Sequence, residues 1–78
     1  MQIKVIVTLK HGVLDPEGKA IQHTLKDLGF DETRDVRQGK IITLDVEDGT
    51  SEDRVKQMCE KLLANPVIED YKIEMPAA

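Results

Sequence analysis

Residues 3–21 read IKVIVTLKHGVLDPEGKAI, and the fold turns on where this run changes its period. Ile3, Val5, Val7 and Leu9 alternate with Lys4, Ile6, Thr8 and Lys10, the two-residue period that sends one set to the core face of a strand. After Leu14 the pattern changes. Asp15 is placed to accept a backbone N–H as an N-cap, Pro16 takes the first helical position where no donor is missed, and Glu17 sits at the positive end of the helix. Ala20, Ile21, Thr24, Leu25 and Leu28 follow at helical spacing. Gly29 is placed to take the left-handed conformation that ends a helix, with Phe30 able to fold back on Leu25.

The same stretch carries two glycines and a Gly18-Lys19 pair, the ingredients of a phosphate-binding loop. A Walker loop needs G-x-x-x-x-G-K-[ST]; here one residue too many separates Gly12 from Gly18, and Ala20 stands where a metal-binding hydroxyl is required. Asp15 and Glu17 would also put negative charge where the anion should sit. The capped-helix reading is therefore preferred.

Further along, residues 35–47, DVRQGKIITLDVE, place a Gln38-Gly39 turn signal between Val36 and the alternating set Ile42, Leu44 and Val46, which predicts a hairpin or one bent strand. Residues 48–53, DGTSED, open a second helix with Thr50 or Ser51 as N-cap. Its apolar stripe is Val55, Met58, Cys59, Leu62 and Leu63, and Asn65-Pro66 stops it. A last strand carries Tyr71, Ile73 and Met75 against Lys72 and Glu74, ahead of a Pro76-Ala77-Ala78 tail.

This order predicts an α+β fold: a two-layer β-α-β-β-α-β sandwich in the ferredoxin-like arrangement, one domain over residues 1–78, with an antiparallel sheet and two helices on one face. The other sheet face then gathers Ile6, Thr8, Ile41 and Thr43, with Val67 as a further candidate. That is more apolar than a face meeting water needs, and a second copy packed around a two-fold axis is the simplest cover.

At 78 residues with 40% hydrophobic and 33% charged residues, the chain has the composition of a small globular domain. Folding at this size buries only about 60% of the surface an unfolded chain exposes, so stability is marginal without a partner. A net charge of -4, with Lys and Arg scattered among Asp and Glu, offers no basic stripe for nucleic acid. No apolar run has the length of a membrane span, the start lacks a signal-peptide layout, and one cysteine suits a reducing compartment; the expectation is a cytoplasmic protein.

Catalytic chemistry finds no constellation. His11 and His23 have no Cys or His at ligand spacing, His23 suits a boundary position with a solvated ring, and Cys59 falls in the apolar stripe as a small buried hydrophobe. The open-sheet uses of this fold fail as well. RNA recognition needs stacking aromatics on central strands, metal carriers need Cys-x-x-Cys in the first loop, and iron–sulfur ferredoxins need four cysteines. A dimeric small-molecule-sensing regulatory module survives as the alternative reading. No catalytic, cofactor-binding or metal residue is expected. Lys10, His11, Asp15, Lys19, Arg37 and Lys40, on polar loops expected at the sheet edges, are the candidate contacts to other subunits.

Three segments, VTLKHGVLDPEGKAI, LGFDETRDVRQGKIITLDV and CEKLLANPVIEDYKIE, resemble in order and spacing the PurS family, the small subunits of phosphoribosylformylglycinamidine synthase. His11 stands where that family more often has proline. The resemblance implies a non-catalytic subunit of a glutamine amidotransferase complex in de novo purine synthesis, in which formylglycinamide ribonucleotide, ATP and glutamine give formylglycinamidine ribonucleotide. It implies a homodimer or higher homo-oligomer that bridges a glutaminase subunit (PurQ) and a large synthetase subunit (PurL) and supports ammonia transfer. ATP and Mg²⁺ are then expected on the large subunit, with no cofactor on this chain, no nucleic acid and no membrane.

Overall fold

The computed structural model describes residues 1–76; Ala77 and Ala78 of the expected tail lie outside the described residues. Strand β1 (Gln2–Leu9) is followed by helix α1 (Pro16–Asp27), strand β2 (Gly39–Asp45), helix α2 (Glu52–Met58) continued by a π-turn (Cys59–Leu63), and strand β3 (Glu69–Glu74). The sheet is antiparallel in the order β2-β1-β3, so the strand read first in the sequence lies at its centre. An α+β arrangement of an antiparallel sheet flanked by two helices is thus present.

Alternation along β1 sorts the two faces. Ile3, Val5 and Val7 are essentially inaccessible and pack with Val55, Cys59 and Ala64 to form the buried core. The register puts Leu44 opposite Ile3, Ile42 opposite Val5, Ile73 opposite Val5 on the other side, and Tyr71 opposite Val7, so the β2 and β3 members of the core face follow from pairing. All four are half-buried. The opposite face holds Ile6 between Ile41 and Lys72, Lys4 between Thr43 and Glu74, and Thr8 between Gly39 and Asp70.

The helix ends form as their residues dictate. Asp15 caps α1 through its carboxylate, Pro16 opens it, and Gly29 at φ 97° closes it, with the Gly29 N–H donating to the Lys26 carbonyl (3.0 Å) and the Phe30 N–H to the Leu25 carbonyl (2.9 Å). Ser51, not Thr50, caps α2 by accepting from the Arg54 N–H at 3.2 Å.

Four expectations need correction. The Gln38-Gly39 signal marks no hairpin: of the two readings, hairpin or one strand, the single strand is present from Gly39, so the sheet among the described residues has three strands while the ferredoxin-like arrangement of an antiparallel sheet flanked by two helices holds. Glycine is needed there for proximity, because a Cβ on Gly39 would lie 2.6 Å from the Val7 carbonyl oxygen. Leu62 was expected in the α2 stripe but is 82% exposed. The π-turn is the reason: the Ala64 N–H reaches back five residues to the Cys59 carbonyl (2.9 Å), and the widened turn rotates Leu62 out and brings Ala64 into the core. Helix α1 gives no residue to the core, although both helices were expected to pack on one face of the sheet. Val67 belongs to the turn preceding β3 and not to a strand of the open face.

Replacing Ile3 with alanine is expected to cost about 2–5 kcal/mol, whereas Leu62→Ala should stay within about 0.5 kcal/mol; urea unfolding at fixed protein concentration separates the two.

Candidate functional site

The polar residues singled out in the sequence converge at one end of the sheet. The loop of residues 10–14 leaves the central strand and not an edge strand as expected, whereas the segment of residues 34–38 leads into β2, an edge strand of the sheet. Three side chains bind the two together. Arg37 donates from Nη1 to the Val13 carbonyl (2.9 Å) and from Nη2 to the Lys10 carbonyl (3.1 Å). Asp15, 4% exposed, accepts the Gly18 N–H on Oδ1 (2.9 Å) and the Gln38 N–H on Oδ2 (2.6 Å). Gln22 donates from Nε2 to the Arg34 carbonyl (2.8 Å).

The backbone supports the same closure. Gly12 at φ 90° turns the loop, the Val13 N–H donates to the Lys10 carbonyl (3.1 Å), and the Lys10 N–H donates to the Ile68 carbonyl (2.8 Å). The Lys10 ammonium lies 3.2 Å from Oδ1 of Asp70, an exposed pair that adds little stability. A Cβ on Gly18 would collide with the Val36 carbonyl oxygen and the Asp15 carboxylate, so only glycine lets the first turn of α1 come so near residues 36–38.

The six candidate contact residues therefore divide. Asp15 and Arg37 spend their polar side-chain atoms inside the knuckle formed by loop 10–14 and segment 34–38 and act as clamps, whereas Lys10 enters it through its backbone and pairs its exposed ammonium with Asp70 on β3. His11, Lys19 and Lys40 are exposed and present charge or a titratable ring to a partner, together with Leu14 at 69% exposure. Two open cavities flank the knuckle, one of about 280 Å³ between Leu14, Lys19 and Asp35, the other of about 420 Å³ between Glu17, Lys40 and Glu69. Sequence reasoning missed Gln22 and Gln38. Gln22 lies off the apolar stripe of α1, and Gln38 contributes only its backbone N–H, so residue type carried no signal for either.

The four candidate dimer residues, Ile6, Thr8, Ile41 and Thr43, do share the open sheet face, and Ile6 lies directly opposite Ile41. The apolar centre is narrower than the sequence suggested, since Asp70, Lys72 and Glu74 flank it on β3 and Lys4 precedes Ile6 on the same face of β1.

Backbone N–H donation from Gln38 and Gly18, with the nearby Arg37 cation, holds the Asp15 carboxyl below its usual range. Burial pushes the Cys59 thiol up, the opposite of what a nucleophile requires. Both histidines are exposed, and no group of three or more His, Cys, Asp or Glu side chains is arranged for a metal among the described residues. What the arrangement provides is a stiff projection with outward polar groups.

Because folding lowers the Asp15 pKa, its stabilisation is present above the unfolded value near ~3.9 and is lost as pH falls through the folded value. Asp15→Asn, which keeps an acceptor for the cap but loses the charge, should show a smaller drop in urea midpoint between pH 6 and pH 3 than the parent chain.

Residues 2–77 match the family model described as PurS: Phosphoribosylformylglycinamidine (FGAM) synthase. The chain is 51% identical over 76 residues to phosphoribosylformylglycinamidine synthase subunit PurS of Bacillus subtilis, covering 95% of this chain and 90% of that protein. The crystal structure of B. subtilis PurS matches with a TM-score of 0.84 at 52% identity over 94% of each chain. A chain in the PurLQS structure from Thermotoga maritima matches with a TM-score of 0.76 at 34% identity, covering 95% of this chain and 96% of that one.

Proposed function

From the premise that the chain belongs to the PurS family, we propose that it is the non-catalytic small subunit of a phosphoribosylformylglycinamidine synthase, bridging a glutaminase subunit and a large synthetase subunit. The observation that carries this reading is the family match along residues 2–77. The complex converts formylglycinamide ribonucleotide, ATP and glutamine to formylglycinamidine ribonucleotide, ADP, phosphate and glutamate. Glutamine hydrolysis and ATP-dependent amide activation take place on the two larger subunits, with ATP and Mg²⁺ on the synthetase.

The adaptor role has a physical rationale. Ammonia released into water dilutes and becomes protonated, whereas two active sites held in fixed register keep it at a high effective concentration for the acceptor. A subunit serving this end needs rigid contact points more than reactive groups. The knuckle of loop 10–14 and segment 34–38 supplies one, held by Asp15 and Arg37, with His11, Lys19 and Lys40 exposed in and beside it. A second copy would meet the open sheet face around Ile6, Thr8, Ile41 and Thr43, forming a homodimer in the cytoplasm. Among the described residues no helix is long and apolar enough to cross a membrane.

Reconstitution from purified large and glutaminase subunits should give glutamine-dependent turnover only when this chain is added, while turnover driven by added ammonia proceeds without it. Equal rates with and without the chain in both assays refute the adaptor role. Lys19→Glu should reduce glutamine-dependent turnover several-fold, and Ile41→Asp should lower the particle mass in light scattering at micromolar concentration.

A further inference from the structure

The turn that leads into β3 presents apolar side chains to solvent and is held rigid while it does so. Val67 is 78% exposed and Ile68 39%, with Pro66 exposed beside them. Asn65 organises the turn: its Oδ1 accepts the Val67 N–H (2.9 Å), its carbonyl accepts the Glu69 N–H (2.8 Å), and its own N–H donates to Oε1 of Glu69 (2.7 Å). The Ile68 carbonyl accepts the Lys10 N–H (2.8 Å), which fastens the turn to the loop leaving β1. The core does not use Val67, because Ala64 is the buried residue of this connection. An apolar side chain on a preorganised turn loses little entropy when it docks, the condition under which a few side chains carry an interface.

Beside the turn, a groove of about 520 Å³ opens between the π-turn and β3, lined by Lys10, Glu60, Pro66, Glu69, Asp70 and Tyr71. Its charge is lopsided. Asp70 takes the Lys10 ammonium at 3.2 Å, and among the described residues no cation pairs with Glu60 or Glu69. The Glu60 carboxylate lies 3.4 Å from the Tyr71 hydroxyl, at the wall of the groove. The nearby Lys61 lines a different depression, with Arg54, Gln57 and Met58, and does not offset the balance. Strand β3 is bonded to β1 alone, so no further strand of the chain lies along this edge, the one opposite β2.

We propose that the turn of residues 65–68 and the groove beside it form a docking surface for a protein partner that presents an arginine next to apolar side chains. The turn supplies the apolar contact, and the unpaired carboxylates set the sign of the partner's charge. Arginine fits better than lysine, because a planar guanidinium lies on the half-buried Tyr71 ring while donating to Glu60. The inference rests on the adaptor reading and deepens it. A bridge has to engage two partners without competition between them. Exposed His11, Lys19 and Lys40 favour an acidic partner, whereas this surface favours a basic one, so the sign of charge gives each of the two larger subunits its own side of the chain.

The test immobilises the parent chain, Val67→Asp, Glu60→Arg and Lys19→Glu, and titrates each with the purified synthetase and glutaminase subunits, separately and as a mixture, with ADP, Mg²⁺ and glutamine present. Val67→Asp and Glu60→Arg should each weaken binding of the same one of the two subunits by about tenfold or more, and Lys19→Glu should weaken binding of the other. Both substituted positions are exposed, so the circular dichroism spectrum and the mass in light scattering should match those of the parent. Parent-like binding of both subunits by Val67→Asp and Glu60→Arg overturns the proposal, as does an equal loss for both subunits or a loss for the subunit that Lys19→Glu affects. A lower mass in light scattering also overturns it, by showing that the surface joins copies of this chain. A parent chain that takes up neither subunit from the mixture refutes the adaptor reading itself, and the proposal with it.

Discussion

The structure depends on β1 being the one strand bonded on both sides. β2 and β3 make no ladder with each other, so every long-range backbone pairing in the sheet runs through residues 2–9. The same strand contributes Ile3, Val5 and Val7 to the core, half of its six buried residues. A three-stranded sheet is close to the smallest that is stable with a helix packed on it. Here that helix is α2 with its π-turn, which supplies Val55 and Cys59, followed by Ala64. The strand also fixes the functional end. A knuckle that departs from the central strand inherits that strand's rigidity, whereas one departing from an edge would fray with it.

A core this small leaves apolar residues outside it. Leu14, Ile21, Leu28, Phe30, Ile41, Leu62 and Val67 all remain between 42% and 82% exposed, more than a self-sufficient domain needs to leave in water. Marginal folding and an assembling role go together physically. Any partner that binds the folded chain alone draws the equilibrium toward it, so association stabilises what the isolated core cannot. The scarcity of reactive groups then costs nothing, since the chain contributes geometry while its partners contribute chemistry.

Periodicity and capping made most of the fold legible. The strand in residues 3–9, the Asp15-Pro16 helix start, the Gly29 stop and the Asn65-Pro66 stop all rest on interactions within a few residues of one another, and each is present. Where the sequence misled, a distant partner had decided the outcome. Gly39 has the composition of a turn but serves strand proximity to Val7, and Leu62 has helical phase with Val55 but loses it to one wide turn. The stripe on α1 is a true amphipathic pattern, yet amphipathicity states only that a face needs cover and leaves open which chain provides it. The site was legible as a set of polar residues near two loops. It was not legible as clamps and presenters, because Arg37 and Asp15 act through backbone groups more than twenty residues away.

That division explains why the knuckle suits an adaptor. A flexible polar loop loses conformational entropy when it docks, and the loss subtracts from the affinity its contacts supply. In loop 10–14 the Lys10 and Val13 carbonyls are already bonded to the Arg37 guanidinium, and the following residue, Asp15, is already bonded to residues 18 and 38. Most of the ordering has therefore been done by folding. His11 lies between Lys10 and Val13, whose carbonyls this clamp holds, so its backbone is restrained from both sides. Lys19, one turn into a capped helix, has its backbone fixed as well. Contacts made by such groups keep nearly their full strength on binding and define an orientation, and orientation is what an ammonia-transferring assembly requires of a subunit that performs no step itself.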